Sequence, residues 1–212
     1  MSRFDFIDTP LEGLKTVQRK PIEDSRGFFC RFYCKDSFKE NSLGNEVLQI
    51  NHSFSKQRGT VRGMHFQLPP YAETKYVSCI KGEVFDVAVD LRKNSPTFLH
   101  WHGEILSEHN QRSLLIPEGF AHGFQTIEED CELLYLVSNK YEPAFERALN
   151  PTDPLVSINW PILITEISDK DKNCLRISKN FKGLESSKSN QEVEYLINIT
   201  SERVSNGPNF TI

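Results

Sequence analysis

The sequence predicts an all-β chain, an antiparallel sandwich or small barrel with short peripheral helices. Short segments rich in β-branched and aromatic residues recur along it, each bounded by Gly, Pro, Asn or Ser. No helical period alternates with them, as a parallel α/β sheet would require. With 212 residues, 38% of them hydrophobic and fifteen of them Phe, the chain can bury one large core.

Taken in order, LEGLKTVQR (11–19) and CKDSFKE (34–40) each read as a helical turn or two. GFFCRFYC (27–34) is the first aromatic strand. GTVRGMHFQ (59–67) alternates, with Val61, Gly63, His65 and Gln67 on one face; two glycines there mark a close approach or a bulge. TKYVSCI (74–80) follows as a strand. EVFDVAVDLR (83–92) then places Phe85, Val87, Val89 and Leu91 on one face and Val84, Asp86, Ala88 and Asp90 on the other. Such a strand is either half-solvated or lines a polar cavity, with its apolar face on a second sheet or subunit. HWHGEILS (100–107), RSLLIP (112–117), GFAHGFQTI (119–127) and CELLYLVS (131–138) complete the run. From residue 184 the composition turns Ser/Asn/Glu-rich, so 1–183 reads as one domain and 184–212 as a polar tail or small accessory element.

A net charge of −4 without any Lys/Arg-rich run argues against nucleic-acid or membrane-surface partners. No apolar run approaches the ~18 residues of a membrane span, and the charged N-terminus predicts no secretion signal. Cys30, Cys34, Cys79, Cys131 and Cys174 are an odd, scattered set without CxxC spacing, which predicts free thiols and a cytoplasmic location.

Several chemistries fail on the residues. His100, His102 and Glu104 share a strand face and His122 follows a Pro/Gly turn, but no further ligand sits at a metal-binding spacing, so no metal is predicted. Nucleophile-elbow and phosphate-loop motifs are missing. Proton transfer remains. Histidine, with an ordinary pKa of about 6.5, suits a base for carbon acids, and His65 stands midway through RGMHFQLPP. It would need an orienting carboxylate and an acid across the substrate. Asp171, Asp86 and the tyrosines of LLYLVSNKY are candidates, and spacing does not choose among them.

Read together, DSRGFF (24–29), QINHSFS (49–55), VRGMHFQLPP (61–70), GEVFDVAVDLRKNSPTF (82–98), LSEHNQRSLLIPEGFAHGF (106–124), LLYLVSNKYEPAFE (133–146) and SDKD (168–171) resemble the dTDP-4-dehydrorhamnose 3,5-epimerase family, the RmlC-like branch of the cupin superfamily. The resemblance spans roughly residues 5 to 180 and implies a cupin-type jelly-roll β-barrel. It implies His65 as general base, Asp171 as its orienting partner, Tyr135 as acid on the opposite face of the sugar and Lys75 near the C4 oxygen. Arg26, Arg62 and His122 take the pyrophosphate positions. Gln49 and Asn51 contact the sugar, and Asp86 stands in the cavity wall. Phe28, Arg31, Tyr141, Glu146 and Lys170 complete the implied substrate-binding set. The implied partners are a nucleotide-diphosphate 4-keto sugar and a second copy of the chain in a homodimer, with no cofactor. The implied pathway is surface-polysaccharide sugar synthesis.

Arg31 stands where the family usually has glutamate, and Lys140 where a second tyrosine is common. These departures admit a GDP- or CDP-linked sugar, a heptose, or inversion at one carbon only. A 3,4-ketoisomerase and a non-catalytic sugar-nucleotide-binding cupin are the readings from other classes.

Overall fold

The computed structural model describes residues 2–41, 46–174 and 176–185. The strands are β1 (Phe4–Asp8), β2 (Lys15–Arg19), β3 (Ile22–Asp24), β4 (Gly27–Phe29), β5 (Gln49–Ser55), β6 (Thr60–Gln67), β7 (Lys75–Lys81), β8 (Glu83–Asp90), β9 (Trp101–Ser107), β10 (Arg112–Ile116), β11 (Phe120–Thr126), β12 (Cys131–Val137), β13 (Glu146–Ala148) and β14 (Glu166–Ile167). Two short helices accompany them, α1 (Lys35–Lys39) and α2 (Asp169–Lys172).

One sheet runs β1-β2-β10-β7-β12-β5 and the other β13-β6-β11-β8-β9, with β14 parallel to β6; β3 and β4 form a separate hairpin. This is the cupin-type jelly roll. Alternation distributes the side chains into three apolar layers. Val77, Cys79 and Leu133 of the first sheet meet Val84, Ala88 and Phe124 of the second between the sheets. Phe38 of α1 packs with Phe4, Val17, Tyr76 and Leu115 in another. In the third, Val87, Val89 and Leu91 lie with Leu149, Val156, Trp160 and Phe181.

That last layer corrects one expectation. The apolar face of EVFDVAVDLR is covered by the chain's own residues between Phe145 and Leu184, with Phe85 left partly exposed. A second correction concerns LEGLKTVQR. Residues from Lys15 onward form β2, paired with β1 on one side and β10 on the other, because ladder hydrogen bonds outweigh a weak helical preference. CKDSFKE does hold α1. GFFCRFYC is a strand only over Gly27–Phe29, whereas QINHSFS is a full strand along the edge of the first sheet.

The expected boundary after residue 183 falls within attached structure. Leu184 is buried and exchanges backbone hydrogen bonds with Leu91 and Lys93. Residues 186–212 of the expected tail lie outside the described residues.

Candidate active site

His65 and Tyr135 stand on opposite sheets, on β6 and β12, and both line one polar cavity of about 790 Å³. The cavity also takes in Gln49, Asn51, Arg62, Lys75, His122, Tyr141, Glu146, Lys170 and Asp171, so most of the residues named from sequence converge.

Glycines set the wall. At Gly63 (φ +123°) a Cβ would lie 2.5 Å from Gly123 Cα and 2.8 Å from the His122 carbonyl oxygen. A side chain there would force β6 and β11 apart. The pairing of the two strands also shifts register between His122 and Phe124. Close approach and irregularity, the two meanings of a strand glycine, thus coincide between the cavity's two histidines.

His65 Nε2 lies 2.7 Å from Asp171 Oδ1. Asp171 reaches this place through α2, whose N-cap Ser168 accepts the Asp171 N–H at 3.1 Å. Its other oxygen, Oδ2, accepts the Gly63 N–H at 3.2 Å. Burial alone would raise this carboxyl. The His65 hydrogen bond and charge, the Gly63 N–H and Ser168 together outweigh burial and hold it below the ordinary carboxylate range. An ionised Asp171 accepts the Nε2 proton, which leaves the imidazole lone pair on Nδ1.

On the far wall the Tyr135 hydroxyl lies 3.1 Å from Ser53 Oγ, and its ring stands edge-on to that of His122 with centroids 6.0 Å apart. Burial pushes the phenol above its ordinary range, while Ser53 opposes the rise. Lys75 Nζ is 3.1 Å from Glu73 Oε1 and 3.5 Å from the His65 carbonyl oxygen, with little of either side chain exposed. An ammonium has three donors, so these two contacts leave one for a ligand oxygen. Nearer the exposed edge, Glu146 accepts from Tyr141 Oη at 2.9 Å and Lys170 Nζ at 2.6 Å. Burial would raise Glu146, but Lys170, Tyr141 and the His65 charge keep it lowered. Gln49 Oε1 accepts the Tyr141 N–H at 2.9 Å, and Arg62 is held by Ser55 Oγ and the Phe54 carbonyl.

Four expected residues lie elsewhere. Asp86 is wholly buried behind His122, with Oδ1 at 2.8 Å from Nε2 and Oδ2 without a hydrogen-bond partner. It therefore supports the wall and is not exposed on it. Burial raises its carboxyl against the opposing pull of His122 and Lys75. Arg26, Phe28 and Arg31 sit on the β3–β4 hairpin and just after it, exposed and apart from the cavity of their own chain. The Arg26 guanidinium pairs there with Asp24 through two hydrogen bonds, at 2.6 and 3.2 Å, and its backbone N–H donates a third at 2.8 Å. Gln67 lines the cavity on the His65 face, as alternation predicts, while sequence reading passed over Ser53, Glu73, Thr60 and Glu166 of its wall. Ser53 had a signal: Gln49, Asn51 and Ser53 alternate in QINHSFS and so share a face. Among the described residues no three His, Cys, Asp or Glu side chains gather as a metal-ligand set.

A jelly-roll barrel carrying a histidine–carboxylate pair on one wall and a phenol on the other defines a proton-transferring cupin isomerase. The chain belongs to the dTDP-4-dehydrorhamnose 3,5-epimerase family, whose family model matches residues 8–179. It is 44% identical over 169 residues to a dTDP-4-dehydrorhamnose 3,5-epimerase of Shigella flexneri, covering 79% of this chain and 92% of that one. A dTDP-4-dehydrorhamnose 3-epimerase of Streptomyces niveus is 39% identical over 171 residues, covering 80% and 82%. The crystal structure of dTDP-6-deoxy-D-glucose-3,5-epimerase from Legionella pneumophila in complex with dTDP-4-keto-L-rhamnose superposes with a TM-score of 0.77 at 37% identity, covering 81% and 91%.

Proposed function

We propose that the chain inverts C3 and C5 of a nucleotide-linked 4-keto-6-deoxy hexose, converting dTDP-4-dehydro-6-deoxy-glucose to the dTDP-4-dehydro-rhamnose type. The observation that carries this is the His65–Asp171 pair at 2.7 Å opposite Tyr135 in one polar cavity. Both carbons adjoin the C4 carbonyl, so loss of either hydrogen gives an enolate with its charge on the C4 oxygen. In a gluco-configured chair both hydrogens lie on one face. One base and one acid on opposite walls therefore serve both centres. Nδ1 of His65 takes the proton, Lys75 stabilises the developing oxyanion, and Tyr135 delivers a proton from the other side. Arg62 supplies positive charge to the diphosphate, and His122 lies beside it on the cavity wall.

The test is incubation with the 4-keto sugar in D₂O. Deuterium is expected at C3 and C5 of the inverted product. Exchange at one carbon would make it a mono-epimerase, like the 3-epimerase relative, and no exchange would remove the activity. Product NMR with the carbonyl moved to C3 would assign a ketoisomerase. Lys75→Met is expected to lower kcat roughly 10²–10³-fold with a smaller change in KM, since it removes a donor aimed at charge that develops only in the enolate. A kcat within a few-fold of the parent would take that role from Lys75.

The proposal includes a homodimer. Leu48, Ile50 and Phe54 on or beside edge strand β5 are 58%, 65% and 48% exposed, and Phe28 and Phe29 of the hairpin 62% and 67%. An apolar, one-sided edge of this kind is suited to a partner, and a second copy would bring an Arg26 toward each cavity. Sedimentation should give a dimer that Ile50→Glu dissociates; a fully active monomer would overturn this. The free cysteines fit a cytoplasmic location, and no described helix is long and apolar enough to cross a membrane.

A further inference from the structure

We propose that Ser53 is a positioning residue for the proton donor: its hydroxyl fixes the Tyr135 phenol and donates a hydrogen bond to the phenolate left after reprotonation. This rests on the reading of Tyr135 as the acid given above.

The geometry begins with register. β5 and β12 pair with Asn51 opposite Tyr135 and Ser53 opposite Leu133. Ser53 is therefore the diagonal neighbour of Tyr135, and Gln49, Asn51, Ser53 and Tyr135 all line the cavity. A long aromatic side chain reaches such a neighbour, and here Oη and Oγ stand 3.1 Å apart. The edge-on His122 ring lies against the same phenol, so Tyr135 is held by His122 as well as Ser53.

The chemistry gives the contact a purpose. When the enolate carbon is protonated, the Tyr135 O–H bond breaks, a C–H bond forms, and the electron pair stays on Oη. That anion forms in a wall where burial and the Asp86 charge both work against it. A serine hydroxyl can rotate to donate or accept, so one Oγ serves the neutral phenol as acceptor and the phenolate as donor. Hydrogen bonds to ionised groups are the stronger kind, so Ser53 favours the phenolate over the phenol. Serine loses no proton in the step. The proton held by His65 and the one lost from Tyr135 are rebalanced through solvent.

The test separates exchange from inversion. His65 can remove a hydrogen and return deuterium on its own face without Tyr135, whereas inversion needs the phenol. In D₂O with the dTDP-4-keto sugar, Ser53→Ala is expected to keep exchange and KM near the parent while inversion per exchange falls roughly 10- to 100-fold. Ser53→Thr, which keeps the hydroxyl, should restore the ratio. A parent-like ratio in Ser53→Ala, an equal loss of exchange and inversion, or a Thr variant no better than Ala each overturns the proposal while leaving the epimerase reading intact. A parent protein that exchanges nothing removes both.

Discussion

Replacing His65 by alanine is expected to lower kcat by roughly 10²–10⁴-fold, the ordinary contribution of a positioned base. KM should stay close to the parent, because the imidazole acts on hydrogens that bind no more tightly in its presence. Deuterium exchange at C3 and at C5 should disappear together. The cavity's other candidate bases are already engaged. Glu146 accepts from Lys170 and Tyr141, Glu73 is paired with Lys75, Glu166 accepts from Thr60 Oγ1, and His122 commits Nε2 to the buried Asp86. His65 and His122 both set Nε2 against a carboxylate, but the His65 side chain is 32% exposed and that of His122 only 5%, with the His122 ring packed against Tyr135 itself, so His65 is the imidazole open to the substrate across from the acid. Exchange surviving at one carbon in the variant would mean that a second base serves that centre.

How much of this was legible in the sequence follows from the range of each signal. Period-two alternation is local, so GTVRGMHFQ and CELLYLVS were readable as strands, and Gly63 was readable as a close approach. LEGLKTVQR misled because its strand character depends on β1 and β10, which local propensity does not contain. The His65–Asp171 contact joins residues 106 apart, and no spacing rule links them. Resemblance to a family puts the two together, and the fold brings them into contact. Glu73 was invisible for a different reason. A carboxylate two residues before a lysine ordinarily reads as a solvated loop pair, and only burial of both turns it into part of a site. Asp86 was named as cavity wall, yet its carboxylate faces His122 from behind. Alternation gives a side chain's face without giving its depth.

Asp171→Asn is expected to be nearly as damaging as loss of the histidine, although the two side chains are almost isosteric. Asp171 accepts on both oxygens, from His65 Nε2–H and from the Gly63 N–H. Asparagine offers one acceptor and one NH₂ group. If its oxygen keeps the Gly63 N–H, the NH₂ faces Nε2 and drives the imidazole proton onto Nδ1, where the lone pair is needed. If it turns the other way, two donors meet at Gly63 in a buried place. The first arrangement disables the base and the second costs two facing donors, so kcat should fall roughly 10²–10⁴-fold, the ordinary contribution of a positioned base. Because the two residues act as one unit, His65→Ala/Asp171→Asn should be no slower than His65→Ala alone; additive losses would separate their roles. Stability carries the same signature. A carboxyl held below its unfolded value stabilises the fold above the ordinary carboxylate range, and that contribution disappears as pH falls through the lowered value. Urea unfolding at pH 7 and pH 3 should therefore show a smaller acid-dependent loss in Asp171→Asn than in the parent. Equal losses would mean that the His65 contact does not hold this carboxylate ionised.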